Sequence, residues 1–125
     1  MAEGGLRVLL VDDEPDVRLL LRIQLRSIEG LTVVGEASNG REALEACRLE
    51  RPNVVVMDLL MPVMNGFEAI EALRREMPEV ATVAYTAVAG ELARTELSRL
   101  GVPVVLKSGS PELLIEAIRR VADAA

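Results

Sequence analysis

The chain has 125 residues, of which 50% are apolar and 27% are charged, as is typical of one globular domain. Phe67 and Tyr85 are the only aromatic residues, so the core must be aliphatic and base-stacking platforms for single-stranded nucleic acid are excluded. Fourteen basic residues against twenty acidic ones give a net charge of −6, which disfavours contact with nucleic-acid phosphates. We therefore expect a single domain, residues 1–125, that does not bind nucleic acid directly.

The sequence also bears on the compartment of the protein. No apolar run approaches the length of about 20 residues that a membrane-spanning helix needs. The N-terminal segment is too short and too interrupted for a signal peptide. The single cysteine, Cys47, excludes a disulfide within the chain, and its helical pattern favours a buried apolar role. These features predict a cytoplasmic protein that does not associate with membranes.

Short aliphatic runs alternate along the chain with longer stretches of helical period. In chain order the predicted elements are a strand at 6–11, a helix at 15–27, a strand at 31–37, a helix at 40–51, a strand at 53–57, a helix at 66–77, a strand at 81–85, a helix at 90–99, a strand at 102–106 and a helix at 111–123. Strand followed by helix, five times over, indicates an α/β fold with a parallel sheet covered on both faces. The fourth helix has the weakest apolar stripe, so we expect it to be the least firmly packed.

Polar residues follow four of the five predicted strands. They are Asp12, Asp13 and Glu14 after the first strand, Asp58 after the third, Thr86 after the fourth and Lys107 after the fifth. The carboxyl ends of strands in an open α/β sheet form the crevice where ligands bind. Glu14 and Asp16 are explained well enough as first-turn acids that favour the helix dipole. The other residues in this set are the candidates for a functional site.

Residue choice at these positions differs from the rest of the chain. Fifteen of the acids are glutamate and five are aspartate, yet three of those five are Asp12, Asp13 and Asp58; Lys107 is the only lysine among fourteen basic residues. Two carboxylates about 4 Å apart repel by about 4 kcal/mol at the effective dielectric of a protein crevice, so three of them need a counter-charge. Mg²⁺ prefers one or two carboxylates, retained waters and a phosphate. We predict a Mg²⁺ site formed by "DDEPD" and Asp58, with Lys107 adding positive charge from the side.

Four segments are recognisable together: "VLLVDDEPDVR", "VVVMDLLMPVMNG", "YTA" and "VVLKSGSPELLIEAIRRV". They closely resemble the receiver domain of two-component response regulators over essentially the whole chain, and the last segment looks most like the NarL/FixJ-type subfamily. The resemblance implies a doubly wound (βα)₅ fold, CheY-like and flavodoxin-like, with a five-stranded parallel sheet of order 2-1-3-4-5.

The resemblance also implies a role for each site residue. Asp58 is then the phosphoacceptor, and Mg²⁺ is held by Asp12, Asp13, Asp58 and the backbone carbonyl of Leu60, with Asp13 as a direct ligand. Thr86, Lys107 and the backbone of Ala87 bind the phosphoryl group, while Pro62 and Gly66 form the turn after the phosphoacceptor. Such a protein is not an enzyme, although it assists its own phosphotransfer and autodephosphorylation.

Partners follow from the same resemblance. A sensor histidine kinase would donate the phosphoryl group, which would switch the surface of the fourth helix, fifth strand and fifth helix to control an output domain or partner. The subfamily pattern implies a C-terminal helix-turn-helix output domain, absent from these 125 residues, and a phosphorylation-dependent homodimer. Val105 departs from the family pattern because many members carry an aromatic ring there, and Ser108 because many carry proline.

Three other functions compete with this interpretation. A flavodoxin-like nucleotide or flavin carrier would need a glycine- or hydroxyl-rich loop after the first strand, whereas "VDDEPD" is acidic and repels phosphate. A Mg²⁺-dependent aspartyl-phosphate phosphatase would carry its nucleophile after the first strand and not after the third. A degenerate receiver would act as a phosphorylation-independent interaction module; the complete set of charged site residues argues against it, and Val105 and Ser108 leave it open.

Overall fold

Five parallel strands form the central layer of the protein, and the computed structural model describes residues 5–124. The strands are β1 (Leu6–Val11), β2 (Leu31–Ala37), β3 (Val54–Met57), β4 (Ala81–Thr86) and β5 (Val104–Leu106), and the helices are α1 (Pro15–Arg26), α2 (Gly40–Glu50), α3 (Gly66–Glu76), α4 (Glu91–Arg99) and α5 (Pro111–Ala124). The sheet order is β2-β1-β3-β4-β5. The α/β class and the 2-1-3-4-5 order are confirmed.

Successive residues of the central strands pack into two separate cores, one on each face of the sheet, because side chains alternate along a strand. Leu9 and Val11 of β1 face α2, α3 and α4, where they join Val55 and Met57 of β3. Val8 and Leu10 of β1 face the other way, into a core that contains the inner sides of α1 and α5. Burial on both faces explains why residues 8–11 of β1 and all of β3 are continuous apolar runs in the sequence.

The structure bears on two predictions from the sequence: that Cys47 is a buried apolar residue, and that no segment has the character of a membrane-spanning helix. Cys47 is fully buried on the inner side of α2, as predicted, and burial raises the pKa of its thiol to about 11. The thiol therefore stays protonated at neutral pH and serves as a small apolar core residue. Among the described residues, no helix combines the length and the apolarity that crossing a membrane requires.

Helix α4 is held less firmly than the other helices. Leu97 is the only buried residue of α4, all of which lies in the described part of the chain. Its N-cap is Gly90, which supplies no side chain to bond the first turn. The weak packing predicted for this helix is confirmed, and α4 directly follows the loop that begins after Thr86.

Candidate functional site

The three predicted aspartates meet where β1 and β3 end side by side in the sheet. The Asp12 amide donates to the Ala37 carbonyl (3.1 Å), and the Asp58 amide donates to the Val11 carbonyl (2.9 Å). One carboxylate oxygen from each of Asp12, Asp13 and Asp58 lies within 4.8 Å of the other two. Asp12 and Asp58 are only 1% and 5% exposed, whereas Asp13 is exposed to solvent. Continuation of the strand pairing past the strand ends thus builds an acidic cluster with two buried members.

Lys107, at the end of β5, brings a positive charge to this cluster. Its Nζ lies 2.7 Å from Asp12 Oδ2 and 3.5 Å from Asp58 Oδ2. Nζ donates a hydrogen bond to Asp58. Its contact with Asp12 Oδ2 is a close ion pair whose angles are poor for a hydrogen bond. Burial alone would lower the pKa of Lys107, but contact with the two carboxylates outweighs it, and the pKa is raised.

The surroundings of the Asp58 carboxylate disfavour its ionised form. Burial raises its pKa above the ordinary 3.8, and repulsion from Asp12 raises it further. Lys107 opposes this rise, as does the Leu60 amide, which donates to Asp58 Oδ1 across a long 3.5 Å contact. The single ammonium of Lys107 therefore does not neutralise the three carboxylates of the cluster.

A divalent cation fits this arrangement. The buried Asp12 Oδ2 has a close but poorly aligned contact with the Lys107 ammonium, so it keeps lone-pair capacity that a cation could use. Carboxylate oxygens on three converging side chains are the donor type that Mg²⁺ prefers. The acidic pocket of Asp12, Asp13 and Asp58 is thus a candidate Mg²⁺ site, as the sequence predicts.

Lys107→Gln is expected to lower the free energy of unfolding by about 2 kcal/mol at pH 7 in the presence of a chelator, because Asp12 and Asp58 then stay buried without a cation. The raised pKa of Asp58 sets the pH dependence. A raised native pKa adds stability below the ordinary carboxyl pKa, and this stability is lost as the pH rises through the native value. The deficit should therefore shrink as the pH falls from neutral towards the ordinary carboxyl pKa.

Urea unfolding followed by circular dichroism at pH 7 and at pH 5 measures this effect. Arg99→Gln is the control, since Arg99 pairs with Glu96 on the exposed surface and its loss should cost less than about 0.5 kcal/mol. A Lys107→Gln deficit that equals the control, or that grows on acidification, would contradict the electrostatic account.

The loop between β3 and α3 is fixed by close backbone contacts. A Cβ on Gly66, the first residue of α3, would lie 2.2 Å from the Asp58 carbonyl oxygen and 2.8 Å from Leu59 Cα. The Gly66 amide donates to the Leu59 carbonyl (3.0 Å). Within the loop, the Pro62 carbonyl accepts a bond from the Met64 amide (2.8 Å) across Val63, whose φ is +70°. Pro62 therefore lies in the tight turn after Asp58, Gly66 begins α3 where that loop ends, and only glycine fits at residue 66.

Thr86 forms its hydrogen bonds with the loop that follows it and with the end of β5, and not with the acidic cluster. It is the last residue of β4, is 0% exposed, and donates its hydroxyl to the Val88 carbonyl (3.2 Å). Exposed Ala87 follows it. The Thr86 carbonyl accepts a bond from the Lys107 amide (2.8 Å), which ties the ends of β4 and β5 together. In this conformation the Thr86 hydroxyl is used in a hydrogen bond within the loop that follows β4.

Val105, which departs from the family pattern, is buried against the α1 and α5 side of the sheet. Tyr85 packs into the same core, whereas its neighbour Ala84 packs on the opposite face. Val105 and Tyr85 therefore lie outside the core beneath α4. Because side chains alternate along β4, the Tyr85 ring and the Thr86 side chain lie on opposite faces of the sheet.

Arg18 is a site neighbour that the sequence did not reveal. Its Nη1 donates to the backbone carbonyl of Asp12 (2.5 Å) and its Nε donates to Glu36 Oε1 (2.9 Å). Both contacts depend on how α1 packs across the end of β2, so a local pattern in the sequence could not have predicted them.

Comparisons with known proteins agree with this geometry. The family model described as the response regulator receiver domain matches residues 8–119. Chemotaxis protein CheY of Thermotoga maritima is 34% identical over 118 residues, which is 94% of this chain and 98% of CheY. Response regulator UvrY of Escherichia coli is 36% identical over 117 residues, which is 93% of this chain and 54% of UvrY. The chain thus spans about half the length of UvrY, and it spans 16% of a protein-glutamate methylesterase of Hahella chejuensis.

Solved structures are similar over almost the whole chain. A two-component response regulator of the LuxR family from Aurantimonas sp. SI85-9A1 has a TM-score of 0.90 at 31% identity, covering 96% of this chain and 86% of that one. The signal receiver domain of the response regulator NarL from Mycobacterium tuberculosis also has a TM-score of 0.90, at 25% identity, covering 98% and 99%. The latter supports the NarL-type resemblance. The chain belongs to the response regulator receiver domain family.

Proposed function

We propose that this chain is a single receiver domain in which Asp58 accepts a phosphoryl group from a sensor histidine kinase. One observation carries the proposal. Asp58 is a buried carboxylate that lies within 4.8 Å of two further carboxylates and hydrogen-bonds the only lysine of the chain. A structural ion pair would need one acid for Lys107, whereas this cluster has three.

The chemistry needs little covalent help from the protein. An Asp58 oxygen attacks phosphorus, the bond from phosphorus to the donor breaks, and the donor departs with the bonding electron pair. The product is a mixed carboxylic-phosphoric anhydride, which water later hydrolyses. Lys107 supplies fixed positive charge beside the attacking oxygen.

Metal binding belongs to the same proposal. Asp12, Asp13, Asp58 and the backbone carbonyl of Leu60 would hold Mg²⁺, with Asp13 as a direct ligand. When bound, the ion would neutralise the crowded carboxylates and the charge on the phosphoryl oxygens. The buried Asp12 Oδ2, which lacks a well-formed hydrogen bond, supports this assignment.

The switch would begin at Thr86. A phosphoryl group on Asp58 adds about −1.5 to −2 charges and three acceptor oxygens. The Thr86 hydroxyl would leave the Val88 carbonyl for one of these oxygens, while the Ala87 amide and Lys107 bind the others. The loop after β4 would then pull on α4, which has one buried residue to resist the movement. The surface of α4, β5 and α5 is the proposed output.

Partners are proposed from the relatives. UvrY is named a response regulator, and this chain covers 54% of it. We infer that the chain works in the cytoplasm, controls transcription through an attached or separate output partner, and forms a phosphorylation-dependent homodimer. It assists its own phosphotransfer and autodephosphorylation but is not an enzyme that turns over other substrates.

The test is phosphorylation of the purified chain with acetyl phosphate and Mg²⁺, followed by intact mass spectrometry. The expected result is a gain of one phosphoryl group that a chelator prevents. Absence of any gain, with acetyl phosphate and with phosphoramidate, would contradict the proposal and favour a degenerate receiver that acts through protein contact alone.

A further inference from the structure

Arg18 links three elements of the protein at the edge of the acidic cluster. It lies in α1, donates Nη1 to the Asp12 carbonyl after β1 (2.5 Å), and donates Nε to Glu36 of β2 (2.9 Å). The second oxygen of Glu36 accepts a bond from Arg22, one turn further along α1. The side chain of Arg18 is 18% exposed, whereas that of Arg22 is 51% exposed. Arg18 is thus the inner member of a two-arginine clamp on Glu36.

The contact with Arg18 completes a set of bonds that hold Asp12. The Asp12 amide is bound to the Ala37 carbonyl, and Asp12 Oδ1 accepts a bond from the Glu14 amide (2.9 Å). The Asp12 carbonyl accepts its bond from Arg18 Nη1. Three of the four polar atoms of Asp12 therefore have well-formed hydrogen bonds, while Oδ2, which lies at the cluster, has its ion pair with Lys107.

The carbonyl that Arg18 holds belongs to the peptide joining two of the three clustered aspartates. Because a peptide group is planar, fixing the carbonyl of Asp12 also fixes the amide of Asp13 and the direction in which the chain enters that residue. Without Arg18, the carbonyl of a buried residue would lack its donor, and the peptide would gain free energy by turning towards water. Such a turn would move the exposed Asp13 side chain away from Asp12 and Asp58.

We propose that Arg18 is a positioning residue for the cation site: anchored by Glu36, it fixes the Asp12–Asp13 peptide so that both carboxylates converge on one ion. This inference rests on the proposed function, because it requires that Asp12 and Asp13 bind Mg²⁺. Glu36 acts through Arg18 and has no other part in the site.

The direction in which Mg²⁺ affinity changes when Arg18 is removed distinguishes a positioning role from a purely electrostatic one. A guanidinium beside a dication repels it, so if Arg18 acted through charge alone, its removal would tighten Mg²⁺ binding. If Arg18 acts by holding the peptide, its removal loosens Mg²⁺ binding instead. Residues that orient metal ligands from outside the coordination shell commonly change affinity at least about ten-fold when they are removed.

The experiment is calorimetric titration of Mg²⁺ into the metal-free chain, with Arg18→Met as the test variant and Arg22→Met as the matched control. Both variants remove one arginine and one bond to Glu36, but only the first removes the bond to the Asp12 carbonyl. We expect the Kd for Mg²⁺ to rise about ten-fold in Arg18→Met and to stay within about two-fold of wild type in Arg22→Met. Melting temperatures in chelator are measured alongside.

Each outcome is informative. An unchanged or lower Kd in Arg18→Met, whatever its melting temperature, would overturn the inference, since a merely structural role lowers stability and leaves the Kd alone. If Arg18→Met does not fold, Arg18→Lys replaces it: the charge is kept but the fork that bonds Glu36 and the Asp12 carbonyl together is lost, so the Kd should still rise, and an unchanged Kd would overturn the inference. If the wild-type chain binds no Mg²⁺, the proposed cation site itself fails and the positioning role fails with it.

Discussion

Asp58→Asn is expected to abolish the Mg²⁺-dependent gain of a phosphoryl group completely while leaving the fold intact. The amide has nearly the shape of the carboxylate but no anionic oxygen to attack phosphorus. The variant should also be more stable, on the order of 1 kcal/mol at neutral pH in chelator, because Asp58 is buried beside Asp12 and its raised pKa means that its ionised form disfavours the native state. Loss of function together with a gain in stability is the signature of a strained functional acid.

Intact mass after incubation with acetyl phosphate checks the first expectation, and urea unfolding checks the second. Asp16→Asn is the matched control, since Asp16 is an exposed acid in the first turn of α1 and is not part of the acidic cluster. The control should be phosphorylated like the wild type. A phosphoryl gain that survives in Asp58→Asn would mean that another residue is the acceptor.

Gly66→Ala is expected to lower the free energy of unfolding by about 3 kcal/mol or more. The new methyl group would lie 2.2 Å from the Asp58 carbonyl oxygen and 2.8 Å from Leu59 Cα, and both are backbone atoms that no rotamer change can move aside. Relief requires a shift of the residues that directly follow β3, so the Asp58 side chain would be displaced as well. We expect phosphorylation to fall even where the variant still folds.

Urea unfolding of Gly66→Ala against Gly90→Ala measures this prediction. Gly90 is the N-cap of α4, has a φ of −77°, and would have nothing within 4 Å of a new Cβ. Its replacement should cost no more than about 1 kcal/mol, the price of a weaker N-cap. Equal destabilisation of the two variants would show that the contact at Gly66 relaxes easily.

The fold was predictable from the sequence because residues 8–11 of β1 and all of β3 are buried on both faces and therefore are apolar runs. The predicted ends of the strands were less accurate, for reasons visible in the backbone. The fifth strand was predicted from residue 102 but begins at Val104, since Pro103 has no amide hydrogen to join the ladder. The fourth strand extends one residue beyond its prediction, to Thr86, because the Lys107 amide bonds its carbonyl.

The candidate site was predictable only in part. Asp12, Asp58 and Lys107 could be grouped because carboxyl ends of parallel strands share one edge of the sheet. The positive φ of Val63 carries no signal in the sequence, since branched side chains disfavour that conformation. The Arg18 contacts depend on the packing of α1 against the end of β2, and the bond from Thr86 to Val88 depends on the course of a loop. Local patterns do not encode these long-range and loop geometries.

The position of the phosphoryl group along the chain tests the central claim most directly. Tryptic cleavage at Arg7, Arg18, Arg48 and Arg74 would place Asp12 and Asp13 on the peptide 8–18 and Asp58 on the peptide 49–74. Tandem mass spectrometry of the chain phosphorylated in the presence of Mg²⁺ is predicted to find the group on 49–74, at Asp58. A phosphoryl group on 8–18, or on any residue other than Asp58, would contradict the account.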